Sequence, residues 1–216
     1  MKLSAVIFDL DGTVLANEDE YGQAFAEVLK SIGARVKSDF PHVAGIGVKE
    51  NWPGLLKKFR IKTKKTPDEL ARDTQRQYLK LLSKVHPKEG LGVFIKDLRD
   101  SGVPIALATS SDWFILEATF EKLDIEKYFD AVTTGEEVLT KKPAPDLFLK
   151  TAQKLGVGPS ECLVFEDSES GIKAAHAAGM RVVAIARDEE HAKGLRGADL
   201  VITSYWDISP EALWRL

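Results

Sequence analysis

Apolar residues along this chain fall into two alternating patterns, short unbroken runs and stretches in which they return every three or four positions. The first run, residues 3–8 (L-S-A-V-I-F), reads as a buried strand closed by a turn at Gly12 and Thr13. The period then changes. Tyr21, Phe25, Val28, Leu29 and Ile32 recur at helical spacing, with Asn17 as the expected cap, acids at positions 18–20 in the first turn, and Gly33 as the stop. Residues 34–89 carry no strong strand signal. They read as a turn near residues 39–41, a glycine-containing segment at 45–54, and a long polar helix over 67–85 started by Thr66 with Pro67 in its first turn.

From residue 91 the two patterns alternate regularly. Helices are expected over 93–101, after Ser111 to about 123, from Pro143 to 155, and from Ser168 to Gly179. Strands are expected at 104–108, 131–133, 163–165 and 181–186, with a last short one at 201–203. Apolar runs separated by helices predict an α/β fold, a Rossmann-like parallel sheet covered by helices on both faces. The first strand has the same character and belongs to that sheet. The expected organisation is therefore a core from residues 1–15 and 89–216, with residues 16–88 inserted as a small helical cap.

A formal net charge of −3 leaves no basic field of the kind that holds nucleic acid. The single cysteine, Cys162, excludes an intramolecular disulfide and fits a reducing compartment. No apolar run is long enough to cross a bilayer, and the chain enters its first strand without a signal-like segment. The expectation is a soluble, cytoplasmic monomer.

In an open parallel sheet, ligands bind where the strands end at their carboxyl edge. Asp9, Thr109, and the pair Glu166 and Asp167 each follow a predicted strand directly, and Lys142 follows another, so all should converge on that edge. Asp9 and Asp11, two residues apart on extended chain, should face one side while Leu10 faces the other. Unit charges a few ångströms apart repel by about 4 kcal/mol at an effective dielectric of ~20. Three gathered acids therefore imply a hard divalent cation, and Mg²⁺ suits carboxylates, a carbonyl and a phosphate oxygen.

The segments Phe8-Asp9-Leu10-Asp11-Gly12-Thr13, Ala108-Thr109-Ser110, Lys142-Pro143-Ala144-Pro145-Asp146, and Phe165-Glu166-Asp167-Ser168 with Gly171-Ile172 resemble, in order, the four motifs of the haloacid dehalogenase-like superfamily. The similarity is to its β-phosphoglucomutase-like branch, whose helical cap is inserted after the first motif. The resemblance implies Asp9 as the nucleophile that forms an aspartyl-phosphate, and Asp11 as general acid and base. It implies Thr109 and the Ser110 backbone as phosphoryl-oxygen donors, and Lys142 as the neutralising cation. It implies Mg²⁺ held by the Asp9 carboxylate, the Asp11 carbonyl, Glu166 and Asp167.

One departure bears on the reaction. The β-phosphoglucomutases carry a cap histidine ten residues beyond the acid/base aspartate, where this chain has Tyr21, and the acid common five residues beyond it is Ala16. Hydrolysis of a small phosphomonoester, of the sugar-phosphate kind, is the expectation; a phosphomutase and a non-catalytic binding protein on the same fold are the alternatives. The basic run Lys57, Lys58, Arg60, Lys62, Lys64 and Lys65 reads as a solvated face, and the four histidines show no metal-ligand spacing. Gly171, Ala174, Ala175, Ala178 and Gly179 read as a small helix face packed on the sheet. The loop Gly45-Ile46-Gly47 is the stretch expected to approach the substrate, with Lys49 or Asn51 as contacts.

Overall fold

The structure, a computed structural model, describes residues 3–37 and 41–216. In chain order its elements are β1 (Ala5–Phe8), β2 (Leu15–Ala16), α1 (Glu18–Ser31), α2 (Val48–Phe59), α3 (Pro67–Leu81), β3 (His86–Pro87), α4 (Leu91–Asp100) and β4 (Ile105–Ala108). There follow α5 (Trp113–Leu123), β5 (Ala131–Thr133), α6 (Asp146–Leu155), β6 (Cys162–Glu166), α7 (Glu169–Ala177), β7 (Arg181–Ile185), α8 (Glu189–Gly194), β8 (Leu200–Ile202) and α9 (Pro210–Leu213). Six strands form a parallel sheet in the order β5-β4-β1-β6-β7-β8. That is the expected Rossmann-like α/β architecture. The central strand β1 lies between β4 and β6, in register Phe8↔Leu107 and Phe8↔Phe165, so three of the motif-bearing loops leave the sheet side by side.

The two faces of the sheet are sorted by alternation. Val6 and Phe8 face one way, with Ile105, Leu107, Leu163 and Phe165, onto α4, α5 and α9. Ala5 and Ile7 face the other, with Ala106, Ala108, Val164 and Ala184, onto α6 and α7. The second layer is dominated by alanine, and its small side chains let α7 approach the sheet closely. On the first layer Phe8 stacks on Phe165 with ring centroids 4.8 Å apart, and Phe94 and Tyr205 close the cluster. Tyr205 comes from the carboxyl-terminal segment, which reads as uninformative in sequence; its hydroxyl donates to the Thr13 carbonyl at 3.2 Å, behind the first motif.

Between β1 and α4 the chain builds α1, α2 and α3, with α1 and α2 both packed on α3. Their core of Phe25, Trp52, Leu70 and Tyr78 is continuous with the first face of the sheet. Two features of this region were not specified by the sequence. Within the glycine-containing segment 45–54, α2 starts at Val48 and runs through Pro53 and Gly54, because Trp52 and Leu55 bury against the neighbouring helices and outweigh both breakers. Leu15–Ala16 also pair antiparallel with His86–Pro87, a two-residue ribbon that ties the two ends of the helical segment together. The expected turn at 39–41 falls mostly outside the described residues, which include Pro41 but not Asp39 or Phe40. The start of α3 is as expected. Thr66 accepts from Glu69 N–H at 3.2 Å while the Glu69 carboxylate takes the Thr66 N–H at 2.7 Å, a reciprocal cap. Every residue of the basic run 57–65 named above is exposed. Among the described residues no helix is long and apolar enough to cross a membrane.

Candidate active site

β1 delivers Asp9 to the carboxyl edge, and the Asp9 N–H still pairs with the Phe165 carbonyl at 3.0 Å, one residue beyond the strand. The chain then turns at Gly12 with φ +81°, where a Cβ would stand 2.0 Å from Asp167 Oδ2. Glycine is required there twice over, for the left-handed backbone and for the room beside an acid. β6 delivers Glu166 and Asp167 from the adjacent position, and the loop before α6 delivers Lys142.

These four side chains are buried and gathered together. Lys142 Nζ lies 2.5 Å from Asp9 Oδ1 and 2.5 Å from Glu166 Oε1, and stands 5.0 Å over the ring of Phe148. The second oxygen of Glu166 accepts from Asp167 N–H, Ser168 N–H and the Ser168 hydroxyl at 2.7–2.8 Å. Gly171 leaves room for that carboxylate: a Cβ there would sit 1.9 Å from it. Gly171 therefore does more than line the small face of α7, since the acid set depends on it.

Asp167 differs from its neighbours. Both of its oxygens are buried without a hydrogen-bond donor, while single oxygens of Asp9, Glu166 and Asp167 lie within 4.8 Å of one another. Burial holds the Asp9 and Asp167 carboxyls well above the ordinary range, and each is pushed further up by Glu166, with Lys142 opposing the shift at Asp9. Desolvation works against the Lys142 ammonium, yet Asp9 and Glu166 more than offset it and raise that group above its usual value. One ammonium among three carboxylates leaves the cluster short of positive charge. A donor set of oxygens with one acid wholly unpaired fits a cation.

Asp11 faces the same space under different control. Its Oδ1 receives Asn17 Nδ2 at 2.7 Å and its Oδ2 receives the Ser111 hydroxyl at 2.8 Å. Burial raises its pKa, and those two donors restrain the shift. Asn17 was expected to cap α1, but its side chain makes no capping bond. Its amide instead spans Asp11, the Gly12 N–H and the Tyr78 hydroxyl, because a buried carboxylate is the stronger acceptor. The Tyr21 hydroxyl lies 3.4 Å from Ser111 Oγ, and its ring stacks on Tyr78 at 3.9 Å. Asn17, Ser111 and Tyr78 surround Asp11 in ways the sequence did not assign; the only signal for Asn17 was a polar residue closely following the first motif.

The β4 loop is more divided. Thr109 is fully buried and its hydroxyl oxygen accepts from Ser111 N–H at 3.0 Å. The Ser110 hydroxyl has no partner. Neither serine caps α5, whose N-cap residue is Asp112. Asp9, Asp11, Asp167, Ser110 and Ser111 form one end of a cavity of about 50 Å³, closed on the other side by α1, the loop 42–47 and α2. Thr109, Lys142 and Glu166 are not on its wall but buried behind it. Gly45 and Gly47 do line it, as expected of that loop. Asn51 lines it too, with its amide spent on the backbone of Val43 and Gly47, and Lys49 instead pairs with Asp68 at 2.7 Å. A second group of donor atoms, from Glu18, Asp167 and His191, also lies within 4.8 Å; there Arg187 already pairs with Glu18 at 3.0 Å and gives its N–H to His191 Nδ1.

Comparison with known proteins places this geometry. The family model for haloacid dehalogenase-like hydrolases matches residues 3–179. The fructose-1-phosphate phosphatase YqaB of Escherichia coli is 36% identical over 184 residues, covering 84% of this chain and 96% of that protein. The β-phosphoglucomutase of Bacillus subtilis is 31% identical over 218 residues, covering 98% and 94%. A solved structure, the haloacid dehalogenase hydrolase of family IA, variant 3, from Entamoeba histolytica, superposes with a TM-score of 0.86 at 28% identity, covering 100% of this chain and 98% of that one. All four motifs lie inside the matched span, and the chain belongs to the haloacid dehalogenase-like hydrolase family.

Proposed function

We propose that the chain is a Mg²⁺-dependent phosphatase acting on a small phosphomonoester of the sugar-phosphate kind. The observation that carries this reading is the Asp9 carboxylate, fixed by buried Lys142 on one oxygen and flanked by the unpaired Asp167, at the rim of a cavity that Asp11 also faces. Relatives named as a sugar-phosphate phosphatase and a phosphoglucomutase support the substrate class.

In this reading Asp9 attacks phosphorus, the bond from phosphorus to the alcohol oxygen breaks, and Asp11 gives that oxygen its proton. Asp11 then takes a proton from the water that attacks the aspartyl-phosphate, which releases phosphate and frees Asp9. Asn17 and Ser111 hold the Asp11 carboxyl in place between the two transfers. Thr109, whose oxygen already accepts from Ser111, keeps its hydroxyl hydrogen for a phosphoryl oxygen. Asp9, Asp167 and the Asp11 carbonyl would hold the ion. Glu166, with both oxygens engaged, would serve chiefly to aim Lys142. When bound, Mg²⁺ supplies neutralising charge to the acids and the phosphoryl oxygens.

We assign residues 16–88 as a cap that moves to admit substrate, a division supported by the β2–β3 tie at its two ends and by the small cavity beneath it. Hydrolysis is favoured over mutation because Tyr21, directed at Ser111, stands where the mutases have histidine. The test is a panel of sugar phosphates with Mg²⁺, including hexose 1-phosphates. Phosphate release abolished by chelation and by Asp9→Asn is expected; isomer formed without free phosphate refutes the reading.

A further inference from the structure

The charges around the cavity are lopsided. Among the described residues its wall includes Asp9, Asp11, Glu18 and Asp167 but neither lysine nor arginine. Lys142 lies behind the wall and is shared by two acids. Arg187 reaches Glu18 at 3.0 Å and is likewise not on the wall. His42 is on the wall, its ring stacked 4.8 Å from Phe25, and burial lowers its pKa to about 4, so it is neutral near pH 7. Lys142 and a divalent ion together bring three positive charges, no more than the negative charges of Asp9, Glu166 and Asp167, so even before the phosphoryl group is counted nothing remains for a second anion.

The rest of the wall is apolar or already satisfied. Tyr21, Phe25, Ile46 and Val48 provide its body. Asn17 and Asn51 are spent on protein partners. Among the described residues, and apart from Asp167, two buried polar side-chain atoms of this wall remain without partners, His42 Nδ1 and Ser110 Oγ. They suit one or two hydroxyl groups on a molecule whose other surface is C–H. The neighbouring cleft of about 390 Å³ does carry Lys49, Arg72 and Lys141, but Asp68, Asp112 and Glu136 share that wall. Lys49 pairs with Asp68 there, and Lys141 lies 3.5 Å from Glu50.

Resting on the phosphatase reading above, we propose that this cavity selects phosphate monoesters of small, uncharged, hydroxylated alcohols and rejects esters whose alcohol carries a second phosphate or a carboxylate. A second anion at this wall meets acids and apolar groups with no counter-charge, and like-charge juxtaposition is a strong basis for discrimination.

The experiment compares kcat/KM, with Mg²⁺, within pairs matched except for the extra anion: glycerol 3-phosphate against 3-phosphoglycerate, and fructose 1-phosphate against fructose 1,6-bisphosphate. The uncharged-alcohol member is expected to be preferred by at least about tenfold in each pair, equivalent to about 1.4 kcal/mol. Equal or inverted values overturn the proposal and assign the lysines of the neighbouring cleft to a second anion. Ile46→Arg, which adds a cation to the wall, is expected to narrow the ratio at least about threefold, and an unchanged ratio also overturns it. p-Nitrophenyl phosphate, assayed in parallel, separates the two readings. Its Asp9-dependent hydrolysis without discrimination in the pairs sinks the selectivity alone. If no phosphoester is hydrolysed, the phosphatase reading fails, and calorimetric binding of the same pairs decides the selectivity, tighter binding of the doubly charged member refuting it.

Discussion

Replacing Lys142 by methionine removes one positive charge from the most enclosed part of the site while keeping a long side chain over Phe148. The ammonium is inaccessible and sits 2.5 Å from both Asp9 and Glu166. Without it two carboxylates with oxygens within 4.8 Å of each other face one another undamped; at an effective dielectric of ~20 that repulsion is about 3.5 kcal/mol. Breaking a buried pair by removing one partner costs about 3–5 kcal/mol, in the same range. For a chain of this size the loss corresponds to a Tm lower by about 7–14 °C. The pH dependence follows from which groups titrate. Lys142 has a raised pKa, so its own contribution is complete below the unfolded value of about 10.4 and is flat between pH 5 and 7.5. In the variant, Asp9 is raised still further above its unfolded value of about 3.9, so the folded form binds a proton that the unfolded form releases. Stability is then gained at low pH and lost as pH rises through the folded pKa. The assay is urea unfolding of wild type and Lys142→Met at pH 5 and pH 7.5 without divalent ions. A deficit below about 1 kcal/mol, or one equal at the two pH values, refutes the charge argument.

Three further changes probe the surroundings, one of them a control. Gly171→Ala puts a methyl 1.9 Å from the Glu166 carboxylate and is expected to lower kcat/KM at least about tenfold with a stability loss of about 1–3 kcal/mol; in Gly54→Ala, where nothing lies within 4 Å of the added carbon, circular dichroism melts should show no loss. His42, with its pKa lowered to about 4 from 6.5, contributes stability that is present above 6.5 and lost as pH falls toward 4. That loss is about 2 kcal/mol by pH 5, and melts of His42→Phe at pH 7.5 and pH 5 should show that component removed.

Much of the architecture was legible because it rests on local regularities. Strand period, helix period and the positions of glycine placed β1, β4, β5, β6 and β7 to within a few residues, and the Thr66 cap was readable from four residues. The segment at α2 was not, because Pro53 and Gly54 argue locally against a helix, and only burial of Trp52 and Leu55 against other helices reverses the balance. The β2–β3 tie was hidden for a similar reason: two-residue strands 70 positions apart have no period to detect. At the site, Asp9, Thr109, Glu166, Asp167 and Lys142 could be named because each follows a strand in a parallel sheet, while Asp11 and Ser110 came from the resemblance of the ordered motifs. Their partners could not. Asn17 looks like a helix cap until Asp11 is beside it, and Ser111 bonds across 100 residues.

What the sequence by itself determined is therefore the fold class and the set of chemical groups at the sheet edge, since both follow from periodicity and from side chains placed at strand ends. Only the tertiary structure decided how charge is shared among those groups. Lys142 goes to Asp9 and Glu166, Asp167 is left unpaired, and Asp11 is held between Asn17 and Ser111. Such pairings depend on distances between segments far apart in the chain and on the burial that makes each unpaired charge costly. The absence of lysine and arginine from the cavity wall among the described residues has the same origin. The chain contains 30 lysines and arginines, and folding, not composition, keeps them off that wall.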